Sequence, residues 1–328
     1  MSFRFCVTVA TAFAVIGLAT VERANAADNC QLKQIASVPT AIGSGGRILL
    51  DVAIDDQPAK LLVDTGAGFS MLDPAYVKRR GLPIIETQTL GYGLTGRGLS
   101  GATRIGTLKL GNTVSRNGVF AIGSTGGDGS DDRPVGLFAA DYLANYDVEI
   151  DPTAGRINLF SQDHCTGNVV YWAKEYFRLP VSLTAGKQLD VRIEIDGKPL
   201  RALIDTGASM SVMRLAVARR LFDISADVPE GQHLSKTTGV DATKIDTFMH
   251  VFDSVTFGDI TLHNTKMAIA AIDSGKGASN SGSHIGGLVD QEDVLIGMPL
   301  LRQLHLFIAY SEPALYFTIA EPKPAPAH

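Results

Sequence analysis

The spacing of hydrophobic and polar residues predicts a chain built mainly from short β-strands. Apolar residues alternate with polar ones over residues 50–54 and 191–195, which is typical of strands with one buried face. The turn sequences Asp55-Asp56 and Asp196-Gly197 follow directly. A second apolar strand comes after each turn, at residues 61–63 and 202–204. The pattern therefore predicts two β-hairpins of the same design.

These hairpins belong to an internal repeat. Residues 50–73, LDVAIDDQPAKLLVDTGAGFSMLD, align without gaps on residues 191–214, VRIEIDGKPLRALIDTGASMSVMR, 141 positions later. A second matched block, within residues 135–151 and 294–310, aligns at a shift of 158, which pairs Ala139 with Gly297, and predicts a strand, a short helix and a closing strand. The larger second shift indicates longer loops in the second half.

The repeat predicts two similar domains, and 328 residues is a suitable length for two. We expect a mostly β fold of two related domains with short helices. The predicted segments are a signal peptide at 1–26, a first domain at 27–160, a linker at 161–175, a second domain at 176–320 and a disordered tail at 321–328.

The first 26 residues are predicted to direct export. Arg4 precedes an uncharged run of 17 residues from Phe5 to Val21, and Ala24-Asn25-Ala26 follows as a cleavage site. The alternative is a membrane anchor, but the run is shorter than the ~20 residues that a spanning helix needs. We expect cleavage after Ala26 and a periplasmic or secreted protein that does not contact the membrane once the signal is removed.

Composition excludes several other functions. The net charge of −5 provides no basic surface for nucleic acid or anionic lipid. Histidines lack the spacing of metal ligands, and neither a metal nor a cofactor is implied. The histidines of the exported protein are His164, His233, His250, His263, His284, His305 and His328.

Two cysteines remain after removal of the signal segment, which contains Cys6. They are Cys30 and Cys165. An even number of cysteines in an oxidising compartment predicts a disulfide between them. The alternative is a pair of unpaired buried thiols.

The repeated Asp-Thr-Gly turns carry the candidate chemistry. If the halves pack about a twofold axis, Asp64 faces Asp205. Two adjacent carboxyl groups hold one proton between them, so the pair contains both an acid and a base. Such a dyad can hydrolyse an amide bond by activating a water molecule.

Neighbouring residues are expected to support this dyad. Thr65 and Thr206 are placed to form hydrogen bonds across the axis, while Gly66 and Gly207 permit a tight turn that leaves space above the carboxylates. The alternative is that each Asp only closes a structural turn.

The strings LLVDTGAGFSML and ALIDTGASMSVM, each followed by an apolar block, resemble the pepsin/retropepsin-like aspartic proteases, especially the bacterial exported members with tandem retropepsin-like domains. The resemblance implies an aspartic endopeptidase with catalytic Asp64 and Asp205, acting on polypeptides and needing no cofactor. It also implies that each half is a β-barrel domain and that the two are related by an approximate twofold axis. Because both halves lie in one chain, a monomer is expected. Ala67 and Ala208 stand where pepsin-like enzymes usually have Ser or Thr, which implies an operating pH nearer neutrality.

The resemblance also implies flap hairpins that close over substrate. The candidate flap residues are Tyr92, Gly93, Thr238 and Gly239. Tyr92 could equally be a cross-strand packing residue. Ala139 replaces the glycine expected behind the first Asp turn and would strain the site if its φ were positive. The alternative function is therefore an inactive peptide-binding module on the same fold.

Overall fold

The computed structural model describes residues 31–92, 98–124, 133–225, 233–238, 244–271 and 292–320. Short strands account for most of the first half, with two short helices, α1 (Pro74–Arg80) and α2 (Ala140–Leu143). The strands are β1 (Gln34–Ile42), β2 (Ile48–Ile54), β3 (Gln57–Asp64), β4 (Met71–Leu72), β5 (Ile84–Tyr92), β6 (Gly98–Arg104), β7 (Thr107–Leu110), β8 (Thr113–Arg116), β9 (Val119–Ile122), β10 (Pro134–Ala139), β11 (Asp147–Asp151) and β12 (Arg156–Phe160).

The second half repeats this arrangement, with helices α3 (Leu215–Phe222) and α4 (Met298–Leu301). Its strands are β13 (Phe177–Pro180), β14 (Ser182–Leu183), β15 (Leu189–Ile195), β16 (Lys198–Ile204), β17 (Val212–Arg214), β18 (His233–Thr238), β19 (Lys244–Phe257), β20 (Ile260–Ala270), β21 (Val294–Ile296), β22 (Leu304–Ala309) and β23 (Ala314–Ile319). The prediction of a mostly β fold with two related halves and short helices is confirmed.

The two hairpins that lead to the Asp-Thr-Gly turns form as the sequence predicts. β2 pairs with β3 and β15 with β16, both antiparallel. Both residues of each connecting turn have positive φ, 48° and 61° at Asp55 and Asp56, and 46° and 71° at Asp196 and Gly197. These angles belong to the tight turns whose twist matches that of the flanking strands.

Each Asp turn is supported from behind by a parallel strand. β10 runs parallel to β3, with Ala139 opposite Asp64, and β21 runs parallel to β16, with Ile296 opposite Ile204. Both flanking strands are almost wholly buried, which explains why they read as continuous apolar runs rather than alternating ones.

The two halves share a central sheet. β11 and β22, the twin strands of the second repeat block, pair with each other antiparallel, and Glu149 lies opposite Phe307. Because these two residues are 158 positions apart, they are equivalent in the repeat. The approximate twofold axis therefore passes between β11 and β22, and the core extends through both halves.

Ala139 and Gly297 occupy equivalent positions with nearly the same backbone. Their φ values are −109° and −101°, both in the extended region. The predicted strain from alanine at position 139 is therefore absent, since any residue adopts these angles. A Cβ on Gly297, by contrast, would overlap the Met210 carbonyl. Only the second half requires glycine here.

Residues 161–175, predicted as the linker, pack against one face of the central sheet. Trp172 stacks on the His305 ring at 4.0 Å between centroids and donates a hydrogen bond to Thr318 Oγ1. Tyr171 donates to Glu149 Oε2 at 2.7 Å. This segment, the strap, is thus bound to strands of both halves.

His164 anchors the start of the strap as a buried ion pair. Its Nε2 lies 2.6 Å from Asp147 Oδ2 and its Nδ1 lies 3.2 Å from the Cys165 carbonyl oxygen. Both partners are acceptors, so the ring satisfies them best when both nitrogens carry protons. Burial alone would lower the pKa of His164, but these hydrogen bonds outweigh it and the pKa is raised.

Several predicted segments lie outside the described residues: the signal peptide at 1–26, the tail at 321–328 and Cys30. The Cys30–Cys165 disulfide therefore stays a prediction. Within the described part of the chain, no helix is both long and apolar enough to cross a bilayer.

The twin positions 139 and 297 should respond differently to substitution. Gly297→Ala places a methyl group against the Met210 carbonyl and should destabilise the protein by about 1–3 kcal/mol. Ala139→Gly should cost at most about 1 kcal/mol, mainly through added freedom of the unfolded chain. Urea unfolding of both variants measures the difference. Equal losses at the two positions would contradict the packing argument.

The His164–Asp147 pair should stabilise the protein more at low pH than at high pH. Because the folded-state pKa of His164 is raised, its contribution is complete below the unfolded value of about 6.5 and is lost as the pH rises through the folded value. The difference in free energy of unfolding between wild type and His164→Gln should therefore be larger at pH 5.5 than at pH 9. A pH-independent difference would show that the ring only fills space.

Candidate active site

The structure brings Asp64 and Asp205 together at the meeting point of the two halves. Asp64 is the last residue of β3 and Asp205 follows β16 directly. Their carboxyl groups lie close enough together for each to act on the pKa of the other. Gly66 and Gly207 make this approach possible, because a Cβ on either would overlap the carboxyl group of the opposite half. The glycines are therefore needed for space rather than for an unusual φ.

Thr65 and Thr206 join the two turns by four reciprocal hydrogen bonds. Each backbone N–H donates to the hydroxyl of the other threonine at 3.1 Å. The Thr65 hydroxyl donates to the Ile204 carbonyl at 2.7 Å, and the Thr206 hydroxyl donates to the Val63 carbonyl at 2.9 Å. Both side chains are fully enclosed, at 0% and 1% exposure, so water does not compete for these bonds.

One oxygen of each carboxyl group is fixed by the backbone of its own turn. Asp64 Oδ1 accepts from Gly66 N at 3.0 Å and from Ala67 N at 2.9 Å. Asp205 Oδ1 accepts from the equivalent amides at 2.9 and 3.0 Å. With both Oδ1 atoms held in this way, the Oδ2 atoms are the ones available for chemistry.

Burial and the repulsion between two carboxylates both oppose the loss of the last proton from this pair. Burial raises the pKa of Asp64, against the lowering effect of the amide hydrogen bonds and the nearby Asp205 and Arg47 side chains. Burial also raises the pKa of Asp205 well above its usual range, and the Asp64 charge raises it further. The pair therefore holds one proton over a wide range of pH and titrates as a unit.

A matched pair of serines braces the turns, and the sequence interpretation missed them. Ser70 Oγ accepts from Ala139 N at 2.8 Å, and Ser211 Oγ accepts from Gly297 N at 3.1 Å. The Ser70 hydroxyl also donates to Asp141 Oδ1 at 2.6 Å. Since the two serines coincide in the 141-residue alignment, the repeat itself contains the signal that identifies them.

The candidate flap residues lie at hairpin ends. Tyr92 ends β5 and pairs with Gly98 of β6, while Thr238 ends β18 and pairs with Lys244 of β19. The Tyr92 and Thr238 side chains and the whole of Gly93 and Gly239 lie outside the described residues. Their role over the site stays a prediction.

The described residues contain no group of three or more His, Cys, Asp or Glu side chains arranged to hold a metal ion. The arrangement of Asp64 and Asp205 pairs a carboxylate with a carboxylic acid, which can act together as base and acid on one bound molecule.

Comparison with known proteins identifies the family. A family model described as "Aspartyl protease" matches residues 50–139 and 191–300, which together exceed half of the chain. A comparison with curated proteins finds no match.

Similar solved structures include two plant seed proteins. Basic 7S globulin from soybean is 11% identical, with a TM-score of 0.44 over 88% of this chain and 95% of that one. Conglutin gamma, a basic 7S globulin from lupine seeds, is 10% identical, with a TM-score of 0.48 over the same shares. Similarities at this level do not bear on function.

The two family matches each contain one Asp-Thr-Gly turn, and they cover both hairpins that deliver the paired carboxyl groups. The chain therefore belongs to the aspartyl protease family.

Proposed function

We propose that this protein is an aspartic endopeptidase that uses Asp64 and Asp205 to hydrolyse peptide bonds. The observation that carries the proposal is the facing pair of buried carboxyl groups, each with one oxygen fixed by two backbone amides. A shared proton gives this pair an acid and a base without any other reactive group.

Hydrolysis proceeds in two balanced steps. In the first, the carboxylate removes a proton from water, the water oxygen bonds to the peptide carbon, and the carboxylic acid gives its proton to the carbonyl oxygen. This yields a neutral tetrahedral diol. In the second, a diol hydroxyl returns its proton to the dyad and the C–N bond breaks. The departing nitrogen takes a proton from the other carboxyl group, so the dyad again holds one proton.

The substrate is proposed to be an extended polypeptide lying across the site, since main-chain hydrogen bonds suit a cleft formed from strands and turns.

Export and a monomeric active unit are also proposed. The residue pattern at 1–26 supports export, and N-terminal sequencing of protein recovered outside the cytoplasm tests it. The reciprocal threonine contacts between halves favour a monomer as the active unit.

Asp64→Asn and Asp205→Asn should each lower kcat/KM by roughly 10²–10⁴-fold, because an amide can neither accept nor release the transferred proton. Cleavage of an unfolded protein between pH 3 and 7, followed by mass spectrometry, measures this effect. Asp56→Asn is the matched control, since it makes the same change in an exposed turn where asparagine tolerates the positive φ.

Two results would contradict the proposal. One is full activity in either dyad variant. The other is a wild-type protein that binds peptides without cutting them, which would instead support a peptide-binding module.

A hydroxyl beside each carboxylate should move the working range to lower pH. Ala67 and Ala208 contribute only their amides to the dyad. In Ala67→Ser and Ala208→Ser, an O–H that donates to the ionised form would lower the dyad's pKa, and the acidic limb of the pH–rate profile should fall by about one unit. Ala75→Ser, in an exposed part of α1, is the control. An unchanged acidic limb of the pH–rate profile in both Ala67→Ser and Ala208→Ser would contradict this prediction.

A further inference from the structure

Asp64 has a charged neighbour on the adjacent strand. In the β2–β3 hairpin, Leu49 pairs with Leu62. Arg47 is an extended residue just before β2, two positions beyond Leu49, and Asp64 is two positions beyond Leu62. If the register of the hairpin continues, the two residues are opposite, and the Arg47 charge does act on the Asp64 carboxyl group. Residues directly opposite in such a pair point to the same face of the sheet, with Cβ atoms about 5 Å apart. A positive charge therefore lies beside the first carboxyl group.

Asp205 has a neutral neighbour at the equivalent place. In the β15–β16 hairpin, Asp190 pairs with Leu203, and the same continuation places Gln188 opposite Asp205. Gln188 is the twin of Arg47 in the 141-residue alignment. Its amide donates to the Gly66 carbonyl and accepts from the Thr184 hydroxyl at 3.0 Å, so it is committed to neutral hydrogen bonds.

Arg47 follows a turn that contacts both halves. Its Nε donates to the Ser44 carbonyl at 3.0 Å, within a short 3-10 turn at Ser44–Gly46. That turn rests on the loop after Asp205, because a Cβ on Gly45 would overlap the Ser209 side chain. The backbone that carries Arg47 is therefore supported by both halves, and its side chain is tied to the turn through Nε.

We propose that Arg47 is a positioning residue that breaks the twofold symmetry of the dyad, so that Asp64 is the ionised base and Asp205 carries the shared proton. Asp64 faces Arg47 and Asp205, whereas Asp205 faces Asp64 and the neutral Gln188. This inference deepens the proposed function and rests on it for the consequence in hydrolysis. There, Asp64 takes the proton of the water and Asp205 gives its proton to the carbonyl oxygen.

The charge of Arg47 acts on Asp64 in the required direction, lowering its pKa against the larger effect of burial. Removing the cation should therefore raise the pH at which the dyad first ionises. An opposite charge near a carboxyl group favours its ionised form and so lowers its pKa.

The test is a titration of the dyad in the intact protein. The aspartate carboxyl carbons are labelled with ¹³C and followed by NMR, with the signals assigned from the Asp64→Asn and Asp205→Asn variants. Arg47→Gln copies the residue of the other half, Arg47→Lys retains the charge, and Arg116→Gln removes an arginine from the exposed strand β8.

In wild type, the first titration step of the pair should appear mainly in the Asp64 signal and the second mainly in the Asp205 signal. Arg47→Gln should raise the first titration step by about one pH unit, while Arg47→Lys and Arg116→Gln should leave it near the wild-type value. The acidic limb of kcat/KM should move with the same step. An unchanged titration in Arg47→Gln, or an equal shift in Arg47→Lys, would overturn the proposal.

Gln188→Arg tests the same idea even if Arg47→Gln does not fold. A cation opposite Asp205 should lower the pH at which the Asp205 signal titrates, and an unmoved signal would count against the inference. A wild-type protein that hydrolyses nothing would refute the proposed function, but the NMR titration would still decide the role of Arg47.

Discussion

The architecture depends on bringing two buried carboxyl groups close together where the two halves meet. Such a pair is costly, since burial and mutual repulsion both oppose ionisation. The chain meets this cost with backbone amides that donate to each Oδ1 atom and with glycines that give each carboxyl group room. The reciprocal threonine bonds then fix the distance between the turns. Every one of these contacts is made by main chain or by a short side chain, so little freedom remains in the relative position of the two acids.

The rest of the fold holds the two turns in this position. Parallel strands β10 and β21 hold the two turns from behind, and the pairing of β11 with β22 joins the halves at a second place on the same axis. The strap then ties both halves to one face of the central sheet. Because the halves are clamped at the turns and again at the central sheet, rotation of one half against the other is resisted at both ends of the interface.

The repeat made the fold and the central part of the site predictable from sequence. Duplicated strings require duplicated structure, and the Asp-Thr-Gly turns had to meet once the halves packed about an axis. Ser70 and Ser211 were equally visible in the alignment but have no distinctive sequence context. Three other features could not be predicted from the sequence, because each depends on register or on contacts between distant segments. They are the extended φ of Ala139, the packing of residues 161–175 and the proximity of Arg47 to Asp64.

Differences between twin residues begin one step away from the axis. At the axis, aspartate, threonine and glycine are the same in both halves, since a change in one would break a reciprocal contact. Further out, Asp141 accepts from Ser70 in the first half, while the equivalent residue in the second half is Pro299. Likewise, Ala139 of the first half corresponds to Gly297 of the second, and Arg47 corresponds to Gln188. A symmetric backbone places the two acids, whereas transferring a single proton requires them to be unequal. Substitutions next to the axis can supply that inequality without disturbing the contacts that hold the pair together.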